Sequence, residues 1–446
     1  MTARVRYSPA TLAARAAKVL RDNDTGTVIT AAPELYPHMW SWDAAFISIG
    51  LAHVDVDRAI AELDTLFAAQ WRNGMVPHIV FTASEPDAAY FPGPDRWGTD
   101  TAVDGPGHVR TSGICQPPVH AIAVRRVLDI ARTSTVEDAA AAARFAARIW
   151  PALFEWHRWL VDYRMPGESG LVAIVHGWES GMDNSPRWDV PYSGVRPGAG
   201  LLPYVRQDLA RVADPVERPS DAEYDRYLWL IEEMRQAGYD SAEVVRRSSF
   251  LVGDVFITAL FALSCEVLAG LGDEVGAPAG QLDRLRAWAK NAREAVAASC
   301  HPVSGLARDR DLRTGRWLDT ESIAGFSPLL CGEADGRLLS TWDSERWCGH
   351  PGLLAPVPPS VSPMRPGFNA RQYWRGPQWP VVAWLFGWAF GHGGNRDRAR
   401  ALRDAGLKLT GDGAFGEYYE PFTGEQLGSR NQSWTAAVVL DWLCAL

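Results

Sequence analysis

Cysteine is sparse in this chain and never paired: Cys115, Cys265, Cys300, Cys331, Cys348 and Cys444 are scattered over 446 residues with no CxxC and no Cys/His ligand spacing. That excludes a disulfide-stapled scaffold and a structural zinc site, and predicts buried thiols in a cytoplasmic protein. The opening MTARVRYSPATLAARAAKVL has basic residues but no continuous apolar run and is broken by Ser8 and Pro9, so secretion by the usual signal is not expected. No stretch reaches the roughly 18 to 20 apolar residues that a membrane span requires. Positive charge is short as well. A net charge of −9 excludes nucleic acid and anionic membrane as main partners. There is no DDxxD cluster of the kind a helical terpene cyclase uses, and no metal or organic cofactor is implied.

What is present is apolar, helical and rich in tryptophan. With 47% hydrophobic residues the chain can bury a large core. Apolar residues recur at spacings of three and four over Pro9 to Leu20, Val56 to Gln70, Pro118 to Ala131, Val136 to Tyr163 and Tyr224 to Gln236. The same spacing runs through Ala242 to Leu271, Gln281 to Ser299, Pro380 to Phe390, Arg396 to Leu409 and Asn431 to Leu446. Strand-like alternation is scarce, and no low-complexity linker or exact short repeat divides the chain. The pattern predicts an all-α protein, one domain over residues 1–446. Ten to twelve helices in antiparallel pairs close either into an (α/α)6 barrel or into an open solenoid. Long Gly/Pro/Trp-rich loops lie between the helices, and those around 81–113 and 177–223 read as lids, with Tyr90 at one tip.

Twenty tryptophans are several times the usual share, and indole faces suit the C–H faces of sugars as well as cores. In GWESGMDNSPRW, Gly177 to Trp188, the lone Asp183 sits among two tryptophans, two glycines and a proline. Poor solvation raises a carboxyl pKa, which is what a general acid near neutral pH needs. Far along the chain, GEYYEPFTGE sets Glu417 before two tyrosines. Two isolated carboxylates on aromatic surfaces point to glycoside hydrolysis. Glu420, three residues on, is the rival for the second role, and on a helix both would share one face.

Three more segments gather aromatics near helix starts. ELYPHMWSWDAAF carries Tyr36, Trp40, Trp42 and Asp43, the last either a helix N-cap or an acceptor for sugar hydroxyls. QYWRGPQWPVVAWLF holds Tyr373, Trp374 and Trp379 ahead of Pro380, a residue suited to a first helical turn. Gln432 and Trp434 open the closing helix. In PVERPSDAEYDRYLWL, Ser220 and Glu223 form a capping box. Arg218 just upstream and Tyr224 one turn in either grip a small carboxylate beside a helix N-terminus or are simply a surface Arg and a packed Tyr.

The succession WSWD, GMDNSPRW, YWRGPQWP, ExYxPxTG and NxSWTAA resembles glycoside hydrolase family 63, in its mannosylglycerate and glucosylglycerate hydrolase branch, over nearly the whole chain from about Tyr36. The resemblance implies an (α/α)6 barrel and an inverting mechanism, with Asp183 as general acid and Glu417 as general base. It implies a sugar subsite of Tyr36, Trp40, Trp42, Asp43, Gln116, Trp178, Gly181, Tyr373, Trp374, Trp379 and Gln432, with His78 a weaker member. The Arg218 and Tyr224 spacing is similar to that of the branch's carboxylate-binding pair. The expected substrate is a small anionic glycoside, 2-O-α-D-glucosyl-D-glycerate first and mannosylglycerate next. A neutral α-glucosidase or trehalase, and a sugar-binding protein without catalysis, stand as alternatives, and a homo-oligomer is left open.

Overall fold

The computed structural model describes residues 6–82, 86, 89–206, 208–210, 214, 217–332 and 336–444. Its helices are α1 (Pro9–Asp22), α2 (Ser41–Ala52), α3 (Val56–Ala68), α4 (Pro94–Trp97), α5 (His120–Ala131), α6 (Val136–Arg164), α7 (Asp189–Gly194) and α8 (Asp221–Gln236). There follow α9 (Ser241–Arg247), α10 (Val255–Val275), α11 (Ala279–Ala298), α12 (Gly336–Trp342), α13 (Pro380–His392), α14 (Arg396–Thr410) and α15 (Ser433–Cys444).

Two kinds of helix build the ring. Helices α1, α3 and α14 bury one stripe and expose the rest, as their sequence period requires. Helix α2 is buried at every position, and α10, α13 and α15 are buried along most of their length. These form an inner ring: α2 packs on α5, α5 on α10, α10 on the 3-10 turn Ile323–Leu329, that turn on α13, α13 on α15, and α15 back on α2. Outside it, α1 covers α15 and α2, α6 covers α5 and α10, α11 covers α10, and α14 covers α13. The closing crossing is tight, since a Cβ on Gly50 of α2 would stand 2.5 Å from the Cα of Ala437 in α15. The architecture is the (α/α)6 barrel, closed rather than open.

Three expectations change. The single helix read over Ala242 to Leu271 is broken into α9, a strand and α10, because Asp254 leaves the helix to cap α10 through the N–H groups of Phe256 and Ile257. That strand belongs to a four-stranded antiparallel sheet of β1 (Val172–Ile174), β2 (Val252–Asp254), β3 (Asp309–Asp311) and β4 (Trp317–Leu318). Helix α10 is also long and apolar enough to span a membrane by composition, contrary to the sequence reading, but 89% of its apolar window is buried inside the protein as an inner-ring helix. Of the six cysteines, Cys300 is half-buried and Cys444 exposed.

Candidate active site

The first turns of α2 and α15 open onto one cavity. It is lined by Tyr36, Trp40, Trp42, Asp43, His78, Tyr90, Gln116, Trp178, Gly181, Asp183, Arg218, Tyr224, Tyr373, Glu417, Gln432 and Trp434, together with Pro219 and Tyr227. About 670 Å³ of atom-free space lies between these side chains, part of it open to solvent.

Asp183 follows the 3-10 turn Gly177–Ser180 and Gly181, whose φ of +70° favours glycine. Glycine is needed there for space as well, because a Cβ would stand 2.6 Å from the Trp42 ring. Below the loop, Arg187 is fully buried between Asp254, at 2.7 Å, and Asp309, at 2.6 Å. The Trp188 indole N–H donates to the Met182 carbonyl at 2.9 Å, and the Asn184 side chain accepts from the Trp374 N–H at 3.0 Å. The acid-bearing loop is thus clamped to the start of α10 and to the 372–379 segment. Breaking such a buried ion pair costs about 3–5 kcal/mol. The Asp183 carboxyl itself is half-buried, and no side chain among the described residues donates to it. Burial lifts it to about 7 and nearby Glu417 adds to the rise, while Arg218 opposes both.

Glu417 is buried and fully braced. Its Oε1 accepts from the hydroxyls of Tyr36 at 3.0 Å and Tyr373 at 3.2 Å, and its Oε2 accepts from the Ser429 N–H at 3.0 Å. A carboxylate offers about four lone pairs, so roughly one on Oε2 is left for a further donor such as water. Burial raises this carboxyl, and the Arg218 cation and the three donors pull it back. Gly428, at φ +67°, lies against it: a Cβ there would overlap Oε2 and stand 2.5 Å from the Tyr418 ring. The rival Glu420 is spent on a turn, accepting from the Phe422 N–H at 3.0 Å and the Thr423 hydroxyl at 2.6 Å, and it does not line the cavity. No helix relates the two glutamates, because residues between them form β5 (Tyr418–Tyr419), paired with β6 (Gln426–Leu427).

Asp43 is a third carboxyl in the cavity. It sits inside the first turn of α2 rather than at its cap, which is Trp40 with no side-chain bond. Burial, then Glu417 and Asp183, hold its pKa well above the carboxylate range, and Gln432 approaches it at 3.5 Å. Gln116 accepts from the Trp42 N–H at 3.1 Å. Trp40 meets Tyr36 and Tyr90 edge-on, and Trp42 meets Trp434 the same way. His78 stacks on Trp178, and burial drives its pKa down to about 3, so it is neutral. Trp374 and Trp379 do not reach the cavity. They stack on each other at 3.7 Å, and Trp379 stacks on Tyr418, forming a buried backing behind Tyr373 and Trp42.

At the mouth, the Ser220 and Glu223 capping box forms as read and opens α8. Arg218 donates to the Tyr36 hydroxyl at 3.2 Å and to Asp208 at 3.3 Å, and its guanidinium lies over the Tyr373 ring. The Tyr224 hydroxyl donates to the Phe91 carbonyl at 3.1 Å. Tyr227, one turn beyond Tyr224 on α8, lines the cavity and was missed from sequence. Its i, i+3 spacing from Tyr224 was the available signal. Parts of both lid-like segments, residues 83–85, 87–88, 207, 211–213 and 215–216, fall outside the described residues.

Residues 36–435 match the family described as a mannosylglycerate hydrolase MGH1-like glycoside hydrolase domain. The chain belongs to that family of glycoside hydrolases. It is 53% identical to a glucosylglycerate hydrolase from Mycolicibacterium hassiacum, over 98% of either chain. It is 38% identical to a mannosylglycerate hydrolase from Thermus thermophilus, covering 96% of this chain and 99% of that one. The crystal structure of a family 63 mannosylglycerate hydrolase from Thermus thermophilus, in complex with Tris and D-glycerate, superposes with a TM-score of 0.86 at 38% identity, over 97% of this chain and 99% of that one.

Proposed function

We propose that this hydrolase cleaves 2-O-α-D-glucosyl-D-glycerate to glucose and D-glycerate with inversion. The observation that carries the reading is a single cavity in which two carboxyls of different character, Asp183 and Glu417, share space with a cation and phenol pair, Arg218 and Tyr224. Asp183, held near 7 with no side-chain donor among the described residues, gives its proton to the glycosidic oxygen as the bond to the anomeric carbon breaks. Glu417, with its remaining lone pair, takes a proton from the water that attacks the opposite face. Both carboxyls are then in the wrong protonation state, and solvent restores them after product leaves. Arg218 supplies a fork for the glycerate carboxylate, and the Tyr224 hydroxyl a second contact once its proton turns from the Phe91 carbonyl to the ligand.

The 53% identity to a glucosylglycerate hydrolase supports glucose over mannose at the sugar subsite. Six scattered cysteines with no paired spacing fit a reducing compartment, the cytoplasm. The test is release of hexose from glucosylglycerate, mannosylglycerate and trehalose side by side, with NMR of the first sugar formed. A β anomer from glucosylglycerate, with much slower release from the other two, is the expected result. An initial α anomer refutes inversion, and trehalose as the best substrate refutes the anionic aglycone.

A further inference from the structure

Arg218 and Tyr224 stand six residues apart, one on the loop before α8 and the other in its first turns. Arg206 touches the surroundings of both. Its guanidinium lies over the Tyr224 ring at 4.4 Å, and its Nη1 donates to the Pro219 carbonyl, between the two, at 2.6 Å. Its Nε and Nη2 donate to the two oxygens of Asp208 at 3.1 and 2.7 Å. The same Asp208 carboxylate then takes the Nε of Arg218 at 3.3 Å. The Arg206 and Asp208 side chains are largely buried, 6% and 10% exposed. The two flanking cations hold the Asp208 carboxyl below its ordinary range despite its burial, so it is a fixed anion.

We infer that Arg206 and Asp208 are positioning residues for the carboxylate grip, Asp208 fixing the Nε edge of Arg218 so that its remaining edge faces the cavity, and Arg206 fixing Asp208 and the Tyr224 ring. The inference rests on the proposed anionic aglycone. Arg218 is flexible along four side-chain bonds. A planar fork recognises a carboxylate only in one plane, and Asp208 and the Tyr373 ring define that plane from two sides. Arg206 also donates to Asp221 at 3.1 Å, a contact at the exposed start of α8 that a purely structural role would share.

The test compares kcat/KM on glucosylglycerate with kcat/KM on glucosylglycerol, which has the same sugar and no carboxylate, for wild type, Arg206→Ala, Arg206→Lys, Asp208→Asn and Arg218→Ala. The ratio of the two should fall about tenfold or more in Arg206→Ala and Asp208→Asn, mainly through KM for glucosylglycerate. Arg206→Lys should restore the ratio only in part, because an ammonium reaches one Asp208 oxygen and not both. Inhibition by D-glycerate, which requires no turnover, should weaken in the same variants. If Arg218→Ala lowers the ratio and the Arg206 and Asp208 variants do not, the positioning role is refuted while the anionic-aglycone reading stands. If Arg218→Ala itself leaves the ratio at the wild-type value, both fall. Should Arg206→Ala fold poorly, Asp208→Asn and Arg206→Lys decide the question alone.

Discussion

Replacing Asp183 with asparagine should abolish turnover and, above neutral pH, make the protein more stable. The carboxyl is lifted from an ordinary value of 3.8 to about 7, chiefly by burial. The folded state therefore keeps this proton to a higher pH than the unfolded chain does. Stability from this group is greatest where both states are protonated, below about pH 4, declines as pH rises between about 4 and 7, and is gone above that. At about 1.4 kcal/mol per pH unit the whole displacement is worth ~4 kcal/mol. Asp183 is half-buried, with part of its surface open, so solvent screening trims this to about 2–4 kcal/mol. Asparagine fills nearly the same volume and carries no charge to bury. Its advantage over wild type should therefore grow from near zero at about pH 4 to about 2–4 kcal/mol at pH 8. Relief of Asp43 and Glu417, both raised by burial and both near Asp183, acts in the same direction. Urea unfolding of both proteins at intervals from pH 5 to pH 8, with kcat measured in parallel, tests it. A difference in stability that does not change with pH, or a variant destabilised at pH 8, would refute the burial argument. A variant that keeps its turnover would refute the role of Asp183 as acid.

Glu417→Gln should lose about three orders of magnitude in kcat with little change in Tm, whereas Glu420→Gln, which loosens a turn, should lower Tm and spare most of kcat; the reverse pattern would exchange the two assignments. The kcat/KM profile should fall on the alkaline side near pH 7, and in Arg218→Ala that limb should move to higher pH, because the cation holds Asp183 down; a limb that stays put means another group titrates. Arg218→Ala should cost about 2–4 kcal/mol in kcat/KM on glucosylglycerate, with Arg218→Lys recovering only part, as measured by initial rates. Gly428→Ala should cost about 1–2 kcal/mol of stability for a left-handed alanine and lose far more activity than stability, because the new methyl displaces Glu417; an active Gly428→Ala enzyme would show that Glu417 does not depend on that contact.

The outer helices were legible from sequence because each has water on one side and the inner ring on the other, so the apolar residues of α1, α3 and α14 recur with the helical period. The capping box at Ser220 and Glu223 was legible for a similar reason, since it satisfies backbone donors within four residues. The chemistry of Asp183 and Glu417 showed in their neighbours, as an isolated carboxyl among rings is poorly solvated whatever the fold. Sequence could not bound α2 or show that α10 begins only after Asp254. A helix surrounded by protein has no stripe, and the Asp254 cap makes sense only with Arg187 between it and Asp309. Nor could it separate Trp42, whose ring packs on Gly181 at the cavity wall, from Trp374 and Trp379, which stack one layer behind. Ring closure, which sets α15 against α2 and brings Glu417 under the hydroxyls of Tyr36 and Tyr373, joins residues nearly four hundred positions apart. Local pattern carries no record of such a pairing. Only the packing of one buried helix on another decides it.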